Sequence, residues 1–181
     1  MTQLPAHSRT TRLLHWSVAT GLAGMLTFGL WISSLPSGKE KGAWVQTHKS
    51  FGMLLAVLIL TRLVWRLKEG WPAAQTHATF DRVAARTVQS LLLLLSLAMP
   101  VTGIAASITY ARPIAIFGLP VVPQLMEVKN DYWNALAGTA HAYIAYALLG
   151  LIALHIAGAL RHHFLIGDAT LARMTGRTAL M

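Results

Sequence analysis

The stretch HAYIAYALLGLIALH, residues 141–155, has a histidine at each end and no charged side chain between them. An imidazole is costly to hold in hydrocarbon unless it has a partner. The two histidines are 14 positions apart. At about 3.6 residues per turn this is close to a whole number of turns, so both rings leave the same face of a helix. With a rise of about 1.5 Å per residue they lie roughly 21 Å apart along its axis. One helix would therefore offer an imidazole to each half of a membrane.

The rest of the chain has the same apolar character. Of its 181 residues, 55% are hydrophobic and 12% are charged, and the mean hydropathy is +0.53. A soluble domain usually has about a quarter charged residues. Cysteine is absent, which excludes a disulfide framework, an iron–sulfur cluster and a thioether-attached haem. The composition indicates an integral membrane protein that forms a single domain, residues 1–181.

Four apolar segments are long enough to cross a bilayer, which takes about 20 helical residues. The predicted spans are residues 13–35, 44–67, 84–110 and 134–164. Lipid offers an open backbone no hydrogen-bond partner, so each span is predicted to be helical and the fold class to be an all-α membrane four-helix bundle. The first span is too long for a removed signal peptide and lacks a convincing cleavage site, so we expect it to be retained.

The basic residues lie at the ends of the apolar segments rather than in one patch, which argues against nucleic-acid binding despite a net charge of +9. This placement is typical of membrane proteins that contact anionic lipid head groups. The side of the membrane that holds both termini has the larger share of the basic residues: Arg9, Arg12, Arg62, Arg66, Lys68, Arg82, Arg86, Arg161, Arg173 and Arg177. The opposite side has Lys39, Lys41, Lys49, Arg112 and Lys129. The positive-inside rule therefore predicts that both termini are cytoplasmic.

Leaving aside His162 and His163 at the very end of the fourth span, four of the eight histidines fall inside predicted spans, and antiparallel threading places them in two pairs of matched depth. His15 and His155 lie towards the cytoplasmic side, and His48 and His141 lie towards the outer side. Two imidazoles that face each other inside a helical bundle can hold a haem iron. The other histidines are His7 and His77, expected to be solvated in connecting segments, and His162 and His163 at the cytoplasmic end of the fourth span.

A flat macrocycle also needs small residues beside its ligands. Gly52 is four positions after His48, and Gly138 is three positions before His141, so each glycine shares a helix face with a histidine. We therefore predict two non-covalently bound b haems with two histidine ligands each. The alternative is that the histidines are hydrogen-bonded packing residues. A zinc site fits less well, because the chain has no HExxH motif and no acidic residue within a predicted span.

Several motifs resemble the bacterial cytochrome b561 family, whose members are small di-haem cytochromes of the inner membrane with four helices. They are RLLHW (residues 12–16), THKSFGMLLAVLILTRLVWRL (47–67), RPIAIFGLPVVP (112–123) and LHIAGALRHHFLIGDATLARM (154–174). The resemblance covers nearly the whole chain and implies that His15, His48, His141 and His155 are the axial haem ligands. Within the family, the chain looks most similar to members encoded beside a periplasmic lipid-binding protein, which makes such a protein a candidate partner.

The resemblance also implies electron exchange with membrane quinone, and one branch of the family resembles a superoxide oxidase that passes electrons to ubiquinone. Several relatives have a further histidine early in the third helix, where this chain has Gln89. Glutamine forms hydrogen bonds but does not titrate near neutral pH, so a quinone-protonating role of that position is in doubt here. Whether the protein is an enzyme or a carrier is left open.

Haem propionates need cations or hydrogen-bond donors. The candidates are Lys49 and Arg112 on the outer side, and Arg12, Arg161, His162 and His163 on the cytoplasmic side. Each could instead face lipid phosphate. His162 or His163 could also handle a quinol proton, because an unperturbed imidazole titrates near pH ~6.5. The apolar, proline-containing loop 110–133 is expected to cover the outer haem or to form the docking face for a periplasmic partner.

Two other functions are compatible with parts of this pattern. A membrane-anchor cytochrome for a larger dehydrogenase would use the same ligands, but the short connections leave little surface for a dedicated subunit. A haem-free transporter could use the histidines as a proton relay, but it would be expected to have acidic residues in its spans. An electron carrier that exchanges electrons with quinone is the interpretation that the sequence favours.

Overall fold

The computed structural model describes residues 3–4, 6–70, 79–177 and 179–180. Its main elements are four long helices: α1 Arg9–Ser34, α2 Lys39–Glu69, α3 Thr79–Thr109 and α4 Asp131–Arg161. Each is long and apolar enough to cross a membrane. The predicted four-helix membrane fold is confirmed. The helices begin three to five residues before the predicted spans, because their first turns are polar. His77 lies outside the described residues.

The helices pack as two antiparallel hairpins. α1 packs mainly on α2, α3 packs mainly on α4, and α2 also contacts α3. Large apolar side chains are exposed along the helices, for example Val57 at 60% and Leu94 at 60%. Such a surface suits lipid rather than water. Pro100 lies inside α3, which continues as helix on both sides of it.

The outer connection between α3 and α4 contains a β-hairpin that the all-α prediction missed. Its strands are β2 Ile114–Ile116 and β3 Leu119–Val122, joined by a tight turn at Phe117 and Gly118, both with positive φ. Buried Ser50 of α2 fixes this hairpin, because its Oγ accepts a hydrogen bond from the amide of Phe117 at 3.0 Å. The Ser50 Oγ also lies 3.2 Å from the carbonyl oxygen of Ala115.

The described residues nearest both chain termini lie at the opposite end of the bundle, which we call the inner end. There they form two short antiparallel strands, β1 Gln3–Leu4 and β4 Ala179–Leu180. After α4, the chain forms a π-helical turn, His162–Ile166, and a short helix, α5 Thr170–Thr175. The indole of Trp16 donates a hydrogen bond to the carbonyl oxygen of Met174 at 3.1 Å, which attaches α5 to α1.

Glu69, the last residue of α2, links the first two helices at the inner end. Its carboxylate accepts hydrogen bonds from the hydroxyls of Ser8, at 2.7 Å, and Thr11. Ser8 also caps α1, because its Oγ accepts from the amide of Thr11 at 3.2 Å. The start of α1 and the end of α2 are thereby held together, and a carboxylate at a helix N-terminus is favourable for the helix dipole.

Candidate functional site

The structure brings the four histidines of the spans together in two pairs. The ring centroids of His15 on α1 and His155 on α4 are 6.3 Å apart. Those of His48 on α2 and His141 on α4 are 6.4 Å apart. The first pair lies towards the inner end and the second towards the outer end. These are the same two pairs that antiparallel threading of the sequence predicts, and α4 contributes one ring to each.

The spacing within each pair fits a metal ion held between two imidazoles. An imidazole nitrogen binds a first-row transition metal at about 2 Å, so two such bonds plus the radii of both rings place the centroids roughly 6 Å apart. Among the described residues, no cluster of three or more His, Cys, Asp or Glu side chains could hold a metal ion. A metal with only two protein ligands would need its remaining ligands from elsewhere, and the four nitrogens of a porphyrin could supply them.

A backbone carbonyl orients the His141 ring in the outer pair. His141 Nδ1 lies 3.1 Å from the carbonyl oxygen of Met99 and 3.0 Å from the hydroxyl of Thr102, both on α3. A carbonyl oxygen only accepts, so Nδ1 carries the proton and donates it to Met99. The lone pair of His141 is then on Nε2. Such second partners fix the tautomer and the orientation of metal-ligating histidines.

Two glycines leave room for the outer rings. A Cβ built on Gly29 of α1 would lie 3.2 Å from Cε1 of His48, and one built on Gly103 of α3 would lie 3.2 Å from Cε1 of His141. Both distances are shorter than ordinary van der Waals contact. The sequence did not indicate this role, because each glycine lies beside a histidine of another helix.

The two glycines that the sequence predicted to lie beside the ligands have other surroundings. A Cβ on Gly52 would meet Cε of Met25 on α1 at 3.6 Å, and one on Gly138 would meet nothing within 4 Å. Gly52 therefore lies at the contact between α1 and α2. Its role in haem binding stays a prediction that the packing does not specifically favour.

His15 in the inner pair has a cation as its second partner. Arg62 of α2 places Nη2 3.0 Å from His15 Nδ1. The adjacent Trp16 lies edge-on to the His15 ring, with centroids 5.3 Å apart. Arg62 was not among the candidates from the sequence, where its place in the motif TRLVWRL suggested only a charged helix end.

The predicted outer cations have partners of their own. Lys49 donates a hydrogen bond to the hydroxyl of Ser107 at 2.6 Å. The guanidinium of Arg112 lies over the ring of Tyr110, 4.4 Å from its centroid. Both residues are at the outer end, where Lys49 directly follows the ligand candidate His48. Lys49 keeps further N–H donors beside this hydrogen bond, and the cation–π contact of Arg112 uses none, so both stay candidate propionate partners.

The predicted inner residues Arg161, His162 and His163 each have a separate partner. Arg161 pairs with Asp81 of α3 at 3.0 Å. His162 Nδ1 lies 2.6 Å from Asp168 Oδ2, and the ring of His163 packs edge-on to Phe164 at 4.7 Å between centroids. Burial raises the pKa of Asp168, but hydrogen bonds from Thr170 and His162 outweigh it and hold that pKa below its usual value.

Arg12, the remaining inner candidate, lies against the segment that follows α5. A Cβ built on Gly176 would collide with the Arg12 guanidinium, and Arg12 Nε is buried without a hydrogen-bond partner among the described residues. Gly176 has φ of 91°, a conformation that glycine adopts readily. Arg12 therefore serves the contact between α1 and the C-terminal segment.

The chain matches known proteins along nearly its whole length. The family model described as prokaryotic cytochrome b561 matches residues 6–177. The chain belongs to the prokaryotic cytochrome b561 family. Cytochrome b561 homolog 2 of Escherichia coli (strain K12) is 31% identical over 173 residues, which are 91% of this chain and 88% of the relative. Cytochrome b561 homolog 1 of the same strain is 30% identical over 176 residues, 94% of this chain and 97% of the relative.

A further relative has a more specific description. A probable superoxide oxidase CybB from Yersinia pestis is 31% identical over 128 residues, which are 70% of this chain and 72% of that protein. The resemblance noted from the sequence motifs is confirmed. As a member of the cytochrome b561 family, this is a bacterial multi-pass membrane protein that transfers electrons, and the family implies b-type haem.

The histidine pairs fit that cofactor. Their spacing suits two axial ligands. Gly29 and Gly103 leave room beside the outer rings. His141 also has its Nε2 lone pair free, because Nδ1 donates to Met99. These contacts make the two pairs the candidate haem sites of this cytochrome b561 family member.

Proposed function

We propose that the protein is a di-haem b-type electron carrier that links a redox partner on the outer side with membrane quinone. The observation that carries this proposal is the presence of two histidine pairs, each with ring centroids 6.3–6.4 Å apart. The inner haem would be held by His15 and His155, and the outer haem by His48 and His141. When bound, haem b supplies a one-electron redox centre.

The protein's own residues decide how an electron partner can react. Two histidines would hold each haem iron, so oxygen or substrate would find no open protein-side position on it. The sites would then serve electron transfer rather than oxygen binding. Met99 and Thr102 hold His141 in one orientation, so little reorganisation is needed when the charge of the site changes.

The inner end supports a quinone site. Reduction of a quinone consumes protons, and a general acid near the bilayer surface can supply them. Asp168 accepts the Nδ1 proton of His162, which leaves Nε2 of His162 to exchange a proton with a ligand. Arg161 and His163 lie beside it. We place the quinone near this group and both termini in the cytoplasm, following the charge distribution.

A second candidate function is superoxide:quinone oxidoreduction. The relative described as a probable superoxide oxidase favours it. In that case the outer donor would be superoxide itself rather than a periplasmic protein. A membrane-anchor role for a partner oxidoreductase would require an additional subunit. The test is to mix the oxidised protein with a superoxide source, with and without quinone. A superoxide:quinone oxidoreductase should be reduced by superoxide, whereas a carrier that needs a protein donor should not.

The haem proposal is tested by quantifying haem in the purified protein with the pyridine haemochrome assay. We expect two haems per chain, because two histidine pairs are present. Replacing His15 or His155 by alanine should remove one spectral component, and replacing His48 or His141 should remove the other. One haem per chain, or loss of the same component in His15→Ala and His48→Ala, would contradict the assignment.

A further inference from the structure

Arg62 is a cation inside a membrane-spanning helix. It lies on α2, seven residues before the last helical residue Glu69, which is roughly 10 Å along the axis. Its Nη2 atom is 3.0 Å from His15 Nδ1. A charged side chain at such a depth is costly unless an anion or a set of hydrogen-bond acceptors compensates it. A neutral imidazole provides one acceptor and no charge.

No carboxylate of the protein serves as this counter-ion. The chain has 6 acidic residues, and three of them lie at the inner end: Glu69, Asp81 and Asp168. Glu69 is bound by two hydroxyls of α1, Asp81 by Arg161 and Asp168 by His162. Within the described ranges, which include all six, Arg62 forms no ion pair. An anion from outside the polypeptide would therefore be stabilised beside Arg62.

The contact with His15 itself must change when iron binds. Guanidinium only donates hydrogen bonds, so in this arrangement His15 Nδ1 is the acceptor. A neutral imidazole has one lone pair, and it is here used by Arg62 while the proton is on Nε2. Iron ligation needs that lone pair, as His141 offers it in the outer site. Binding of iron by His15 therefore releases the Arg62 guanidinium next to the cofactor.

We propose that Arg62 binds a propionate carboxylate of the inner haem and raises the reduction potential of that haem. The proposal rests on the di-haem function above. A propionate is an anion that the cofactor brings with it, and guanidinium binds carboxylates with two parallel hydrogen bonds. A lipid phosphate is the other anion near this end of the bilayer, but Arg62 is set back from the helix end and contacts the histidine pair instead.

The sign of the effect follows from charge. A cation beside the propionate favours the reduced state of iron, which has one positive charge less. Removal of the guanidinium leaves the carboxylate uncompensated, which favours the oxidised state and lowers the potential of the inner haem. The outer haem would lie roughly 21 Å away along α4 and should be less affected, because the Coulomb interaction between two charges falls with the distance between them.

The test is a potentiometric titration of the purified holoprotein and three variants. Arg62→Gln removes the charge, Arg62→Lys retains it without the bidentate geometry, and Arg66→Gln removes the same charge one turn nearer the inner end. The inner component is the one absent from His155→Ala. In Arg62→Gln we expect the ratio of oxidised to reduced inner haem at a fixed potential to rise about tenfold, which is ~59 mV for one electron. Arg62→Lys should recover part of this shift, and Arg66→Gln should cause a smaller one.

A second measurement identifies the anion. Haem labelled with carbon-13 at the propionate carboxyls gives an isotope-sensitive carboxylate band in redox-difference infrared spectra. This band should change in Arg62→Gln and stay unchanged in Arg66→Gln. An unchanged band would show that the anion is not the propionate, and a lipid phosphate would then be the remaining source.

Three results would overturn the proposal. They are an unchanged inner potential in Arg62→Gln, equal shifts in Arg62→Gln and Arg66→Gln, or loss of the inner haem in both Arg62 variants while the outer haem is retained. If only Arg62→Gln lost the inner haem, a requirement for the charge would be supported. Failure of the di-haem function itself would be seen separately. In that case the wild-type protein and His155→Ala would have the same spectrum, because no inner haem would be present to lose.

Discussion

At the scale of single residues, the Nδ1 atoms of the proposed ligands have three different environments. His141 donates to the carbonyl of Met99, His15 accepts from Arg62, and His48 Nδ1 is buried without a partner among the described residues. A ring held by a carbonyl is ready for a metal, whereas a ring held by a guanidinium is not. The outer site is therefore preformed on its α4 side, and the inner site requires a rearrangement.

The sequence revealed the histidines but not their neighbours, for a physical reason. An imidazole in an apolar helix is conspicuous, and helical periodicity with antiparallel threading suffices to pair His15 with His155 and His48 with His141. Arg62 and Gly103 matter because of contacts across helices. Those contacts depend on the rotation and register of neighbouring helices, which spacing along one helix does not specify.

Replacing Gly103 with alanine should destabilise the outer haem site. The added Cβ would lie 3.2 Å from Cε1 of His141, so the ring or α3 must move at a cost of about 1–3 kcal/mol. We expect faster loss of the outer spectral component when the purified protein is incubated with a haem acceptor. Gly150→Ala on α4 is the matched control, because its Cβ would meet nothing within 4 Å. Equal haem retention in both variants would contradict the proposed packing.

At the scale of elements, the outer hairpin shows why a loop prediction was incomplete. The strands are only 3 and 4 residues long, and Pro120 in β3 is unfavourable for strand pairing. Their stability comes from α2, which holds the turn through Ser50 and buries Ile114 to 2% exposure. Tertiary contact outweighs local preference here, and a serine inside an apolar helix gave no distinctive signal.

Replacing Ser50 with alanine should loosen the hairpin. The amide of Phe117 would lose its acceptor in a buried environment, which costs about 1–3 kcal/mol. We expect faster hydrogen exchange in residues 114–122, with the helices unchanged. Ser33→Ala is a suitable control, because the hydroxyl of Ser33 donates to the carbonyl oxygen of Leu30 within its own helix. Unchanged exchange of the Phe117 amide would show that the hairpin is held by other contacts.

The C-terminal segment should depend on pH through Asp168. Its folded pKa is below its usual value, so the ionised carboxylate stabilises this segment above the unfolded pKa of about 3.9. That stabilisation is lost as the pH falls through the lower folded pKa. In hydrogen exchange, Asp168→Asn should expose α5 more than wild type at neutral pH, and the difference should disappear in acid. A difference that persisted at low pH would exclude the carboxylate charge as its cause.

At the scale of the whole molecule, α4 connects the two proposed haem sites, one towards each end of the bundle. Moving one charge across the full membrane potential is worth about 2.3 kcal/mol per 100 mV, so the direction of electron flow affects its energetics. In the proposed function, a quinone would reach the inner site from the bilayer, while a protein or superoxide would reach the outer site from water. The two sites would then join a lipid-soluble and a water-soluble partner.

The quinone proposal predicts that reduced protein is reoxidised by a soluble ubiquinone analogue without oxygen, and that His162→Ala slows this reaction. His162 has the carboxylate partner Asp168 and can transfer a proton through Nε2, a contribution that is worth about hundredfold in rate when proton transfer limits the reaction. His163 packs against Phe164, so His163→Ala should have a smaller effect. Stopped-flow spectroscopy of the inner component measures both rates.

Absence of reoxidation by any quinone would refute the quinone role. Normal rates in both variants would refute only the inner site and would direct attention to the outer haem, Arg112 and the loop 110–133.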